Sequence, residues 1–210
     1  MLRSANDARA EGFTLIEMLI VVSIIVILAA ILMPVCEMAN KRAEMLHCQS
    51  NMRSLSMAAA LYAEDADGVL VPAWNNYGPA GTIGTGWDVP LLQYHHNDQL
   101  YICLSDPTPN WASNLVCYKH SYGINFAPTM VGGYAGSAVC LGEVETPSEV
   151  IIFFELVGSS RTLGANYEVH QLTRVDPRHN DGGNFSYLDG HAKWYQPRRT
   201  VTPINQWRLH

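Results

Sequence analysis

Eight histidines (His47, His95, His96, His120, His170, His179, His191, His210) and five cysteines (Cys36, Cys48, Cys103, Cys117, Cys140) are the side chains of this 210-residue sequence best suited to chemistry. Imidazole and thiolate are preferred zinc ligands. A zinc site usually takes close-spaced pairs from one element, as in HExxH or CxxC, and neither pattern occurs. His95 and His96 are adjacent and would face opposite sides of a strand. No G-x-S-x-G elbow or phosphate-cradling glycine loop is evident. His179, Asp181, Asp189 and His191 form the best candidate metal group, but structural roles account for them more simply. No metal, no other cofactor and no enzymatic activity is therefore expected. Asp65-Ala66-Asp67-Gly68 has the start of a calcium loop without its later oxygen ligands or closing glutamate, and Val69-Leu70-Val71 follows. A helix end suits those residues better.

One acidic residue stands apart. Glu17 lies in the run 13–33, where only Thr14, Glu17 and Ser23 are not apolar. As a helix that run would be about 31 Å long, close to the ~30 Å hydrocarbon thickness of a bilayer. A cleaved secretory signal would have a shorter apolar stretch and a small-x-small cut site. A lipoprotein signal would place small residues ahead of Cys36, whereas Met33-Pro34-Val35 stand there. A plain anchor fits length and hydropathy but leaves Glu17 unexplained, because a carboxylate in lipid seeks a partner. The remaining composition sets outer bounds. With 48% hydrophobic and 10% aromatic residues the chain is not wholly disordered. A net charge of −6 argues against nucleic acid, which needs a basic face.

Other elements must then position the chemistry. Met45, Cys48, Met52, Leu55, Ala59 and Tyr62 are spaced 3-4-3-4-3 and mark one stripe of a helix, with Lys41, Arg42, Glu44, Arg53 and Glu64 off it. Pro34 removes one intrahelical bond, so a kink or loosening is expected there. Gly68 is a suitable terminator. The stripe calls for a head that covers it, and the section 69–210, with its short apolar runs between turn residues, reads as strands. The run 150–157 reads as a buried central strand, while 75–86 and 129–142 read as glycine-rich loops. Asp189-Gly190 suits a two-residue type I′ turn. That turn would set Leu188 opposite His191, Tyr187 opposite Ala192, Ser186 opposite Lys193 and Phe185 opposite Trp194. The fold class expected is α+β, a long N-terminal helix packed on a mainly antiparallel β-sheet head.

Gly12-Phe13-Thr14-Leu15-Ile16-Glu17 resembles the type IV prepilin cleavage and methylation motif, and the likeness continues through the apolar stretch to Pro34. The resemblance implies a pilin-like fold. It implies that a prepilin peptidase cuts between Gly12 and Phe13 and methylates the new amino terminus at Phe13. It also gives Glu17 a partner, the freed ammonium of a neighbouring subunit, which would set axial register. The divisions that follow are a leader at 1–12, a transmembrane and assembly helix at 13–34, an amphipathic continuation at 35–67 and a head at 68–210. His179, nine residues, then Asp189-Gly190 resembles the His-X9-Asp-Gly motif of a large group of prepilin-like proteins. Cys48-Gln49-Ser50-Asn51-Met52-Arg53, Tyr62-Ala63-Glu64-Asp65, Cys103-Leu104-Ser105-Asp106-Pro107, Ser121-Tyr122-Gly123-Ile124-Asn125 and Pro147-Ser148-Glu149 resemble the same group. Leu104 stands where that group often has proline, and Glu155 where an aspartate is common.

A head exported across the inner membrane meets an oxidising compartment. Four of the cysteines allow three complete pairings. Cys48 with Cys103 is preferred because it would staple the stripe to the head, leaving Cys117 and Cys140 as a second pair; free thiols are the alternative. The favoured function is a pilin or pseudopilin subunit of a type IV pilus or type II secretion pseudopilus, with specificity in exposed aromatics such as Trp74, Trp87 and Trp111. Its partners would be the peptidase, other pilin subunits, the inner-membrane assembly platform and the lipid bilayer. The rival is an extracytoplasmic binding or metal-dependent module for which the helix is only an anchor.

Overall fold

The structure is a computed structural model and describes residues 13–77, 83–107, 121–125, 139–157, 162–163, 175–201 and 206–207. The chain divides into two compact units, Met1–Asn40 and Lys41–His210. Helix α1, Leu15–Asp65, belongs to both and continues as helix through Pro34. In the first unit α1 is long and apolar enough to cross a membrane, and Leu15, Ile20, Val26 and Leu32 are all exposed.

In the second unit α1 becomes one-sided. Met45, Cys48, Met52, Leu55 and Ala59 are buried as their spacing requires, Tyr62 is half-buried, and Asn51, Ser56, Ala58 and Ala63 widen the stripe. The helix ends where expected. Asp67 and Gly68 take φ of 54° and 86°, and the Gly68 N–H donates to the Ala63 carbonyl at 2.7 Å, a Schellman-type closure.

Five strands make the main sheet, in the order β5-β3-β4-β6-β7: β3 Tyr122–Asn125, β4 Ile151–Glu155, β5 Thr162–Leu163, β6 Gly183–Tyr187 and β7 Ala192–Tyr195. All neighbours are antiparallel except β3 and β5. The α+β class is thus as the sequence indicated, and β4 is central. A bulge between Ile151 and Phe153 in the pairing with β6 turns Ile152 and Phe153 to the core that holds Met52 and Leu55. Ile151 and Phe154 join a second core with Phe185, Tyr187 and Trp207.

Three expectations are corrected. Residues 75–86 are not simply a loop, because Trp74–Tyr77 (β1) pairs antiparallel with Ile83–Gly86 (β2). The other glycine-rich segment, 129–142, lies largely outside the described residues. Trp87 is not an exposed recognition aromatic; it is fully buried, with its ring 4.9 Å from that of Phe153. The side chain of Trp74 and all of Trp111 lie outside the described residues.

The third correction is the register of the C-terminal hairpin. Ser186 faces Ala192 and Phe185 faces Lys193, one residue away from the expected pairing. The loop is Leu188-Asp189-Gly190, three residues rather than two, with only Gly190 at positive φ (87°). Its Gly190 N–H donates to the Tyr187 carbonyl and the Tyr187 N–H to that of His191. A three-residue loop with glycine in the left-handed position accommodates the strand twist as well as a type I′ turn does. The slip moves Trp194 away from Phe185 and places it opposite Asn184. A two-residue turn with both residues left-handed occurs earlier, at Asn180-Asp181 (φ 54° and 58°), between the bridged residues His179 and Gly182.

Candidate functional site

The N-terminus of α1 is closed by its own side chains. The Thr14 N–H and Oγ1–H both donate to Glu17 Oε2, at 2.8 and 2.7 Å, and the Glu17 N–H donates to Thr14 Oγ1 at 3.3 Å. This is a capping box, with threonine and glutamate three apart satisfying each other's orphan donors. It sets the Glu17 carboxylate beside the residue that follows Phe13. Phe13 itself is exposed, and Gly12 lies outside the described residues.

A second polar cluster lies within the Lys41–His210 unit. Cys48 of α1 and Cys103 form a disulfide with Cα atoms 5.3 Å apart, the pairing preferred from the sequence. Asn51 Nδ2 donates to the Ile102 carbonyl at 3.1 Å and the Cys103 N–H to Ser121 Oγ at 3.0 Å, which fixes the 99–103 segment against α1 and the residue that precedes β3. The second expected pair includes Cys117 and so falls outside the described residues. Among the described residues Cys36 and Cys140 are free thiols, and Cys117 lies outside them.

Glu155 and His179 converge on this disulfide. His179 Nε2 lies 2.9 Å from Glu155 Oε1 and 3.4 Å from Cys103 Sγ. Both side chains are buried, with Glu155 fully so. Asn184 holds the carboxylate from β6, its N–H donating to Oε2 and its Nδ2 to Oε1, each at 3.0 Å. The His179 carbonyl accepts from the Gly182 N–H and from Trp194 Nε1, the latter at 2.7 Å. A Cβ on Gly182 would collide with that indole, so this close approach needs glycine. Arg178, next to His179, bridges Asp106 at 2.8 Å and Asp176 at 2.6 Å and donates to the Leu156 carbonyl. It ties the loop after Cys103 to the turn before β6. The Sγ, Oε and Nε2 donors of Cys48, Cys103, Glu155 and His179 lie within 4.8 Å of one another.

The candidate group His179, Asp181, Asp189 and His191 is therefore divided. Asp181 is a turn residue, and Asp189 Oδ1 accepts from the His191 N–H at 3.1 Å and contacts its Nδ1 at 2.5 Å, at the exposed hairpin tip. His191 stacks on Tyr187, ring centres 4.2 Å apart. His179 instead meets residues 24 to 131 positions away in sequence. Glu155 was the member that sequence reasoning missed. Its signal was a carboxylate closing an otherwise apolar strand, Ile151-Ile152-Phe153-Phe154.

Comparison with known proteins bears on the N-terminus. No curated protein and no solved structure matches the chain significantly. Residues 7–33 match the family described as the prokaryotic N-terminal methylation motif, and that match, with the apolar start of α1, supports a membrane-anchored chain of type IV prepilin-like character.

Proposed function

We propose that the chain is a pilin-like structural subunit, processed by a prepilin peptidase and assembled into a type IV pilus or a type II secretion pseudopilus. The observation that carries this reading is the match of residues 7–33 to the methylation motif. The peptidase would cut between Gly12 and Phe13, remove the leader 1–12 and methylate Phe13. Residues 13–34 would then cross the inner membrane once and pack with other subunits, with 35–67 continuing the helix and 68–210 forming the head outside the cytoplasm. An assembly platform in the inner membrane would extract the subunit from the bilayer.

The capping box supports a specific role for Glu17. Before cleavage its carboxylate is occupied at its own helix end, on Thr14. In the filament it exchanges that contact for the cationic Phe13 amine of a neighbour, an opposite charge in a medium where unpaired charges are costly. Gly12→Ala is expected to leave an uncleaved precursor in cells that contain the peptidase. Normal processing of that variant would contradict the proposal and favour a helix that serves as an anchor alone.

A further inference from the structure

The disulfide explains why Cys48 and Cys103 meet, but not why a carboxylate and an imidazole are buried at their edge. Removing a charged carboxylate from water costs several kcal/mol, and an apolar residue would continue β4 without that cost. Glu155 is instead fully buried and held in place by Asn184, with a carboxylate oxygen within 4.8 Å of His179 Nε2 and of both sulfurs. The four side chains come from α1, the segment after Tyr101, the end of β4 and the turn before β6. Their convergence is a product of the tertiary fold.

We propose that, when Cys48 and Cys103 are thiolates, these four side chains form a site for a divalent metal ion of the zinc class, with two sulfur, one nitrogen and one oxygen ligand. Two thiolates with an imidazole select borderline-soft ions over magnesium or calcium, which want oxygen. The imidazole–sulfur separation agrees. Tetrahedral zinc with Zn–S of about 2.3 Å and Zn–N of about 2.0 Å separates S from N by roughly 3.5 Å. Cys103 Sγ and His179 Nε2 are 3.4 Å apart, and all the donors fall within 4.8 Å. The outer contacts are of the kind that orient ligands, with Asn184 on the carboxylate and Trp194 on the His179 backbone. Oxidation of the two thiolates to a disulfide passes two electrons to an oxidant and removes the anionic charge that makes them metal ligands, and a thiol or phosphine reductant returns those electrons, so disulfide and metal are alternative states of one site. This site is independent of Gly12 processing, and either proposal can fail without the other.

The test uses the full-length chain, extracted in detergent from cells grown with added cobalt and purified without oxygen in a phosphine reductant. Bound cobalt is measured by mass spectrometry and by its thiolate charge-transfer absorption. The expected result is about one ion per chain, with the absorption lost on air oxidation and in the Cys48→Ser, Cys103→Ser double variant. Glu155→Gln should weaken retention against a chelator, whereas Lys193→Ala should not. Should the cysteine variant fail to fold, alkylation of the unsubstituted chain decides. Bound metal should protect Cys48 and Cys103 and leave Cys36 reactive. Cobalt far below one per chain, a pair that stays disulfide-bonded in reductant, or cobalt retained without protection of Cys48 and Cys103 would overturn the proposal.

Discussion

Glu17 and Glu155 each interrupt an apolar run, one in the Met1–Asn40 unit and one in the Lys41–His210 unit. Glu17 is exposed and satisfied locally, by the backbone and hydroxyl of a residue three positions earlier. Glu155 is fully buried and satisfied from afar, by Asn184 and His179. A carboxylate whose partners are three residues away can change them without disturbing the fold. One whose partners are other strands and turns cannot. The first arrangement suits a residue that meets something outside the chain, the second a residue that organises the chain around itself.

The largest effect is expected at Glu155. Glu155→Ala leaves the donors of Asn184 and His179 facing an apolar void, and removing one member of a buried polar pair typically costs about 3–5 kcal/mol. Denaturant unfolding of the detergent-solubilised chain should show that loss, with a smaller one for Glu155→Gln. Next is the adjoining disulfide, which closes a sequence separation of 55. Chain entropy puts its contribution at roughly 2–4 kcal/mol, near the upper end for a loop of this size. A thermal scan with and without reductant, in metal-free buffer, measures it. Gly182→Ala should cost about 1–3 kcal/mol, because the new Cβ must displace the Trp194 indole that holds the His179 turn.

A smaller effect comes from His95, whose Nε2 lies 2.7 Å from the Tyr101 hydroxyl. Tyr101 donates its proton to the Asp88 carbonyl, so the imidazole is the donor to Tyr101. Burial holds the His95 pKa below 6.5, with Asp98 opposing and His96 assisting. The unfolded chain therefore binds the proton more readily. The His95 contribution to stability is present above about pH 6.5 and is lost as pH falls through the lower folded value. His95→Gln should flatten that part of the stability–pH curve. Glu17→Ala should leave the head's unfolding midpoint unchanged while crosslinking shows impaired incorporation into filaments, the converse of Glu155→Ala.

The sequence was most legible where structure is local. Helical spacing located the buried stripe from Met45 to Ala59, Gly68 marked the end of α1, and the apolar run 150–157 located β4. The hairpin was harder, because Asp189-Gly190 permits both a two-residue and a three-residue loop and one residue of slip reverses every side chain. The buried cluster was least legible. The sequence pairs Cys48 with Cys103 because one sits on the stripe, but nothing near His179 in sequence points to Glu155. Their meeting depends on β4 and β6 pairing, and on Gly182 and Trp194 fixing the turn.

The functional account rests on what becomes of the first twelve residues. Intact-mass and N-terminal peptide mass spectrometry, on chain extracted from membranes of cells with an active prepilin peptidase, tests it directly. The account predicts a polypeptide that begins at Phe13 and carries one methyl group on its amino nitrogen. A chain that still carries Gly12 and the residues before it would contradict it.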